Sequence, residues 1–332
     1  MIIGILKEKA CFETRVAVTP QTVERLKKMG FDIEIEQAAG ICSGISDNNY
    51  KRAGANIKAN FVDILQRADI LLCVQPLLQD MIQYVKSGCI LISDFQNLFS
   101  TDILKLLSEK KITCFALDRL PRTSRVQPFD VLSSQNNLAG YQAVLCAINF
   151  SRSVVPMMIT SAGVVAPMKF LIIGIGVAGL QAIATAKRLG AKVYAYDTRE
   201  EVIEQVKSLN AIFVSSIDDV LQDMDVIITS AFVAGRRAPL LIKNKMIKLL
   251  KQSVVIIDMA AGFGGNVEGV CNFEIVKIHD RLIYGNSNLA AKIPATASML
   301  LANNFANFLE YMKDIEMDFN DELVKETCIV KG

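Results

Sequence analysis

The stretch from Lys169 to Asp197 holds residue types and spacings suited to gripping a dinucleotide. Gly174, Gly176 and Gly179 form a G-x-G-x-x-G run that closes an apolar strand-like segment. Val177 to Leu189 then has a helical pattern, and Asp197 ends the next strand-like segment. Strand, glycine turn, helix and an acid about 20 residues on are the parts of a dinucleotide-binding βαβ unit. In such a unit Gly174 permits the tight turn, Gly176 lets backbone approach a pyrophosphate, and Gly179 brings helix against strand. The helix start at Val177 and Ala178 would turn free N–H groups and a partial positive charge toward the phosphates. A glycine-rich turn in the core of an α/β protein is the plainer alternative. Asp197 would accept hydrogen bonds from the adenosine ribose and repel a 2′-phosphate, which favours NAD(H) over NADP(H). Arg199, two residues on, offers that phosphate a guanidinium and pulls the other way.

A second group of polar side chains precedes a long helical run. Residues 121–137 read P-R-T-S-R-V-Q-P-F-D-V-L-S-S-Q-N-N. Arg122 supplies a planar fork for a carboxamide or phosphate, and Asp130 can hold that fork in place. Gln127 can orient a nicotinamide or a bound water without titrating. Equally, Asp130 or Ser133 can simply cap the helix that follows a solvated loop.

These groups sit in a chain of 332 residues, long enough for two cores. Hydrophobic residues make up 52% and the mean hydropathy is +0.33, the balance of a protein with heavily buried sheets. The net charge of +2 comes from interspersed signs and gives no electrostatic case for nucleic acid or an anionic membrane. The eight cysteines form no C-x-x-C pair and read as small core residues of a reducing compartment, not as a disulfide frame or zinc site. His279 is the only histidine, which argues against a histidine triad or a multi-histidine metal centre, and no metal site is expected. The opening M-I-I-G-I-L-K-E is too short and too soon charged for a signal peptide. Pro156, Pro167, Lys169 and the glycine run break the apolar region 154–186 into loop, strand and helix, so a soluble chain without direct membrane insertion is expected.

The elements that must carry these groups alternate. Residues 2–6, 31–36, 69–74, 89–95 and 112–117 read as strands, and 20–29, 61–68, 78–87 and 101–110 as helices. Thr19 suits the N-cap of the first helix and Gly30 its C′ position. Strands separated by single helices imply a parallel sheet covered on both faces. Asp130 to Phe150 reads as one long helix, interrupted only by Gly140, that carries the chain to a second domain. There a helix at 200–209 and strands at 211–214, 225–229, 253–258 and 281–285 follow the glycine run. Pro294 to Met312 reads as a long helix returning to the first domain, and an acidic tail ends in a strand-like 327–330. The expected architecture is α/β, two doubly wound parallel-sheet, Rossmann-like domains linked by long helices. Residues 1–128 with 300–332 would form one domain, and 129–299 the NAD(H)-binding domain.

The order Arg122-x-x-Arg125-x-Gln127-x-x-Asp130-x-Leu132-Ser133-Ser134-Gln135-x-Asn137-x-Ala139-Gly140-Tyr141 resembles a family signature. It is similar to the loop of the NAD(H)-binding α component of proton-translocating nicotinamide nucleotide transhydrogenase. The resemblance spans nearly the whole chain, with Gly4, Lys7-Glu8, Glu13-x-Arg15-Val16-Ala17 and Pro20 at the start. Gln96-Asn97, the run Gly174 to Gly190, Gly235-Arg236-x-Ala238-Pro239 and Gly264-Gly265-Asn266 continue it. The broader family includes alanine dehydrogenase, with the same two-domain fold. Those enzymes hold a keto acid and move a proton with a lysine, a histidine and an N-terminal arginine. The arginine matches Arg15, which with Glu13 equally suits a domain-interface ion pair. The lysine position falls near Val74, and the histidine region reads Ser93-Asp94-Phe95-Gln96-Asn97. A soluble amino-acid dehydrogenase built on this chain would lack its acid and base.

The resemblance implies a peripheral α subunit of a transhydrogenase made of separate polypeptides. Its reaction would be direct hydride transfer between NADH and NADP⁺, coupled to proton movement through a membrane partner. It implies that Gln127 orients the nicotinamides and that Arg122, steadied by Asp130 and Ser133, contacts the cofactor. Gly174, Gly176, Val177, Ala178, Gly179, Asp197, Arg199 and Gly235 would bind NAD(H), while NADP(H) would bind a partner subunit. Membrane-spanning partners would hold the chain, as a homodimer, on the cytoplasmic face of the inner membrane. Two departures bear on closure over the nucleotide. A longer family segment with a mobile, tyrosine-bearing loop is replaced by direct passage from Phe213-Val214-Ser215-Ser216 to Ile217, and the family's Pro-Ser-Arg is Ala290-Ala291-Lys292. The rival readings are a soluble alanine dehydrogenase-like oxidoreductase and a non-catalytic NAD-binding module.

Overall fold

The computed structural model describes residues 1–95, 101–121, 123–232, 236–315 and 318–332. Its strands are β1 (Ile2–Ile5), β2 (Asp32–Glu36), β3 (Asn56–Lys58), β4 (Ile70–Leu72), β5 (Ile90–Ser93), β6 (Thr113–Ala116), β7 (Met158–Thr160) and β8 (Gly163–Val165). They continue with β9 (Lys169–Ile173), β10 (Lys192–Tyr196), β11 (Ile212–Phe213), β12 (Val226–Thr229), β13 (Val255–Asp258), β14 (Ile275–Ile278), β15 (Arg281–Gly285) and β16 (Cys328–Val330). The helices are α1 (Pro20–Lys28), α2 (Asp47–Arg52), α3 (Phe61–Arg67), α4 (Gln79–Ile82), α5 (Thr101–Glu109) and α6 (Val131–Ser151). After them come α7 (Val177–Arg188), α8 (Ile203–Ser208), α9 (Asn244–Ile247), α10 (Pro294–Asp314) and α11 (Glu322–Thr327).

Two compact units divide the chain, Met1–Gln135 with Ile293–Gly332, and Asn136–Lys292. In the first, seven strands run in the order β16-β6-β5-β4-β1-β2-β3, parallel throughout except that β16 lies antiparallel to β6. One face of this sheet, with Ile3, Ile33, Ile70 and Ile92, packs on Leu26 of α1 and on Phe305 and Phe308 of α10. The opposite face, with Leu71, Leu91 and Cys114, packs on Ile64 of α3 and Leu107 of α5. A strand covered on both sides buries both sets of alternating side chains, which is why I-L-L in β4 and I-L-I in β5 read as unbroken apolar runs. Thr19 and Thr22 close a reciprocal cap on α1, with Thr19 N donating to Thr22 Oγ1 at 2.8 Å and Thr22 N donating to Thr19 Oγ1 at 3.4 Å.

The second unit repeats the plan in the order β11-β10-β9-β12-β13-β15-β14, with only β14 antiparallel to its neighbour. Ile173, Ile227 and Ile256 pack with Ile247 and Leu250 on one face. Both sheets change direction beside the strand that comes first in sequence, since β1 lies between β2 and β4, and β9 between β10 and β12. A crevice opens at the carboxyl ends of the strands at each such point. The architecture is therefore the expected pair of doubly wound, Rossmann-like α/β sheets. No helix among the described residues is long and apolar enough to cross a membrane.

Several segments differ from the sequence reading. The helix expected at 78–87 shrinks to α4, because the Gln83 amide donates to Asp80 O at 2.8 Å and the chain tightens into i→i+3 bonds at Tyr84 and Val85. The helix expected at 200–209 is a 3₁₀ turn, Glu200–Val202, followed by α8. The β7–β8 hairpin, β14 and α11 escaped notice, since segments of three to six residues carry too short a pattern to register. Gly140 does not interrupt α6, which runs through it unbroken. A Cβ at Gly140 would lie 2.1 Å from the Ala178 carbonyl oxygen, so the glycine marks where α6 presses against the start of α7. Gly140→Ala should therefore lower stability by about 1–3 kcal/mol through overpacking, read as a reduced midpoint in urea or on heating. An unchanged midpoint would show that the two helices have room to separate.

Candidate functional site

β9 delivers the chain to Gly174, whose φ of +92° lies in the left-handed region open to glycine. The Gly174 carbonyl accepts Ser230 Oγ at 2.9 Å, and an ideal Cβ on Gly179 would stand 2.0 Å from that same oxygen. Glycine alone lets α7 come this near to the strand end. Gly176 is the N-cap of α7, and a Cβ there would meet nothing within 4 Å, so the turn is open on that side. The N–H groups of Val177, Ala178 and Gly179 have no i−4 carbonyl to bond within the helix, and no acid stands in its first turn. Those donors and the dipole of a 12-residue helix suit an anionic phosphate.

Asp197, one residue past β10, is tied to the glycine turn itself, its Oδ2 accepting Ile175 N at 2.6 Å. Arg199 forks onto it, with Nε 3.1 Å from Oδ1 and Nη2 3.1 Å from Oδ2. Burial opposes charge on Asp197, but Arg199 and the Ile175 N–H outweigh it and hold the carboxyl below the ordinary range. An open turn, helix-start N–H groups and an ionised acid fit a dinucleotide. Gly235 lies outside the described residues.

The second constellation belongs to the first unit. Ser124–Phe129 form a 3₁₀ turn, and Asp130 stands just before α6. Its Oδ1 accepts Ser133 N at 2.9 Å and its Oδ2 accepts Ser133 Oγ at 2.5 Å, so these two are brought together as a helix cap. The Gln127 side chain is exposed and has no hydrogen-bond partner among the described residues. Next to it, the Pro128 carbonyl accepts Asn304 Nδ2 at 3.0 Å and Asn307 Nδ2 at 2.7 Å from α10. Arg125 Nη2 donates to Tyr311 OH at 2.8 Å, and that hydroxyl donates to Asp321 Oδ2 at 2.7 Å. The loop is thus pinned through neighbours of Gln127 while the carboxamide stays free. Arg122 lies outside the described residues.

Glu13 and Arg15 pair inside the first unit, with Nε 2.8 Å from Oε1 and Nη2 2.7 Å from Oε2. Arg15 Nη1 donates to Gln135 Oε1 at 2.8 Å, and Gln75 Nε2 donates to Glu13 Oε2 at 3.0 Å. Burial pushes the Glu13 carboxyl up, but Arg15 overcomes it and holds the group at about 2. Glu8 reaches the crevice between β1 and β4, where its carboxyl oxygens accept Val74 N at 2.6 Å and Gln75 N at 3.2 Å. Burial lifts the Glu8 carboxyl to about 8, with the Glu13 charge pushing the same way and the two N–H groups resisting. The arginine matched to the keto-acid ligand of alanine dehydrogenases therefore has all three of its nitrogens engaged within the chain, and Val74 offers only backbone. Gln96 and Asn97 lie outside the described residues.

Sequence reasoning passed over Asp258, which ends β13 fully buried. Its Oδ1 accepts Ala260 N at 2.8 Å, and its Oδ2 accepts Asn266 N at 2.7 Å and Val267 N at 3.0 Å. Asn266 in turn accepts Ala231 N at 3.1 Å and donates to the carbonyls of Ala231 and Pro239 at 2.9 and 2.8 Å. The strand-final acid and the Gly264-Gly265-Asn266 run were visible signals, but their partners are backbone groups that no side-chain pattern reveals.

A doubly wound sheet whose first strand feeds a glycine turn, an open helix start and a strand-final acid defines the nucleotide-binding Rossmann class. The family model described as alanine dehydrogenase/PNT, N-terminal domain, matches residues 4–139, and its C-terminal domain counterpart matches residues 143–332. The chain belongs to this alanine dehydrogenase/PNT family. It is 37% identical over 363 residues to a protein of Rickettsia prowazekii named as the first portion of NAD(P) transhydrogenase subunit alpha, covering 100% of this chain and 95% of that protein. It is 38% identical over 371 residues to the protein of the same name from Rhodospirillum rubrum, covering 100% and 96%. The crystal structure of transhydrogenase from Sinorhizobium meliloti matches with a TM-score of 0.94 at 39% identity, covering 100% of this chain and 98% of that one.

The Glu8 carboxyl gives the first unit a pH signature. Its folded value of about 8 lies above the unfolded value, so its contribution to stability is complete below the unfolded value and is lost as the pH rises through 8. Between pH 6 and pH 9 the thermal midpoint of the wild type should fall by roughly a few degrees more than that of Glu8→Gln. Parallel pH profiles would show that Glu8 is already ionised at pH 6.

Proposed function

We propose that this chain is the NAD(H)-binding α subunit of a proton-translocating NAD(P) transhydrogenase and works only with partner subunits. The observation that carries this reading is the full-length likeness to proteins named for NAD(P) transhydrogenase subunit alpha, joined to an open glycine turn with Asp197 bonded to it. Bound NADH would supply the hydride that NADP⁺ on a partner subunit accepts, one ring oxidised as the other is reduced. In this reading Gly174, Gly176 and the N–H groups of Val177, Ala178 and Gly179 hold the pyrophosphate. Asp197 takes the adenosine ribose beside Arg199, and Gly235 is a further cofactor-binding residue. The free carboxamide of Gln127 orients the nicotinamide, Arg122 contacts the cofactor, and the Asp130–Ser133 cap steadies the loop that carries both. The hydride step needs no proton from this chain, whose contribution is proximity and orientation.

Partner subunits would supply the NADP(H) site and a membrane-spanning proton path, holding this chain peripherally on the cytoplasmic face of the inner membrane. A homodimer is supported by the β7–β8 hairpin, where Ile159 and Val164 are 74% and 68% exposed next to exposed Met157, Met158 and Val165, an apolar cluster of the kind that marks an interaction site. An alanine dehydrogenase-like activity is disfavoured by the hold of Glu13 and Gln135 on Arg15.

Gln127→Asn tests the reading. It shortens the side chain by one methylene, so NADH affinity should hold while hydride transfer in the complex reconstituted with the NADP(H)-binding partner falls on the order of 10²-fold. Single-turnover kinetics keep product release from masking the chemical step. Transfer at the wild-type rate would reduce the loop to a capped connection.

A further inference from the structure

Arg199 lies across the mouth of the glycine turn. Asp197 Oδ1 accepts the backbone N of Arg199 at 3.0 Å and its Nε at 3.1 Å, while Oδ2 accepts Ile175 N at 2.6 Å and Arg199 Nη2 at 3.1 Å. A carboxylate has about four acceptor positions, so four donors fill it. Nη2 also donates to the Ile175 carbonyl at 3.0 Å, joining the guanidinium to the middle residue of the Gly174–Gly176 turn. From outside, Glu201 Oε1 stands 3.9 Å from Nη1. Asp197 is left 8% exposed under an arginine side chain that is itself 47% exposed.

Two consequences follow from charge and geometry. A ribose diol that donates to Asp197 must first displace the Arg199 side chain, since only the Ile175 and Arg199 backbone N–H groups can stay while the hydroxyls bind. Until then the guanidinium cancels the negative charge that would otherwise repel a 2′-phosphate, and with Nε and both Nη2 hydrogens engaged, the two hydrogens of Nη1 are the donors left for a phosphate. We propose that Arg199 is the specificity-determining residue of this site, a guanidinium gate on Asp197 that opens for the ribose diol of NAD(H) and admits a 2′-phosphorylated dinucleotide far better than the acid alone would. This rests on the reading of the turn as a dinucleotide site.

The test is calorimetric titration of the purified full chain with NADH and with NADPH, for the wild type, Arg199→Ala and Arg199→Lys. Arg199→Ala should hold or improve NADH affinity and weaken NADPH, widening the ratio of the two affinities about tenfold. Arg199→Lys keeps the charge without the fork and should fall between. A ratio in Arg199→Ala within about twofold of the wild type overturns the gate. So does an equal loss of both ligands, which would make Arg199 a plain contact. A wild type that binds neither dinucleotide would instead overturn the reading of the turn, and the gate with it.

Discussion

Gly179 and the carbonyl of Gly174 approach so closely that not even a methyl group could stand between them. The arrangement of the second unit's crevice descends from that contact. It seats the first turn of α7 at the carboxyl end of β9, which aims the helix's uncommitted N–H groups at the crevice instead of into the core. It leaves the Ile175 N–H directed at Asp197, so that the acid at the end of β10 is bonded to the turn it serves. The Ala178 carbonyl, one residue before Gly179, is in turn pressed against Gly140 of α6. A chain of glycines thus allows backbone to meet backbone where side chains would hold the elements apart.

The first unit has the same topology and ends differently. Its crevice between β1 and β4 offers the N–H groups of Val74 and Gln75, and the chain's own Glu8 takes them. Beside it, Glu13 takes Arg15. A doubly wound sheet supplies a crevice by its strand order, but which groups fill it is a matter of local side chains. In this chain the crevice of the first unit is filled by the chain's own carboxyl groups.

The role of the C-terminal segment is to hold the loop that bears Gln127. α10 returns to the first unit and spends Asn304 and Asn307 on one carbonyl, that of Pro128, while Tyr311 and Asp321 fix Arg125. A backbone atom beside Gln127 is held from two sides, and the Gln127 carboxamide has no hydrogen-bond partner among the described residues. That division of labour suits a group whose value would lie in its position.

The sequence by itself determined the second unit's nucleotide-binding core and most of the parallel strands, because those signals are local. Gly174 must turn, Gly179 must let a helix approach, Asp197 must end a strand, and doubly covered strands such as I-L-L must be apolar on both faces. The capping pair Asp130 and Ser133 was legible for the same reason, as was Thr19 at the start of α1. Only the tertiary structure decided what contacts distant in sequence set. Those include the continuity of α6 through Gly140, the hold of Gln135 on Arg15 120 residues away, and the hold of Asn266 on the backbone of Ala231 after β12, 35 residues away. The short β7–β8 hairpin and β14 belong with them, since too few residues stand in each to carry a period. A side-chain pattern records which faces a segment buries, but the partner of a buried charge or a crowded glycine is a neighbour only in space.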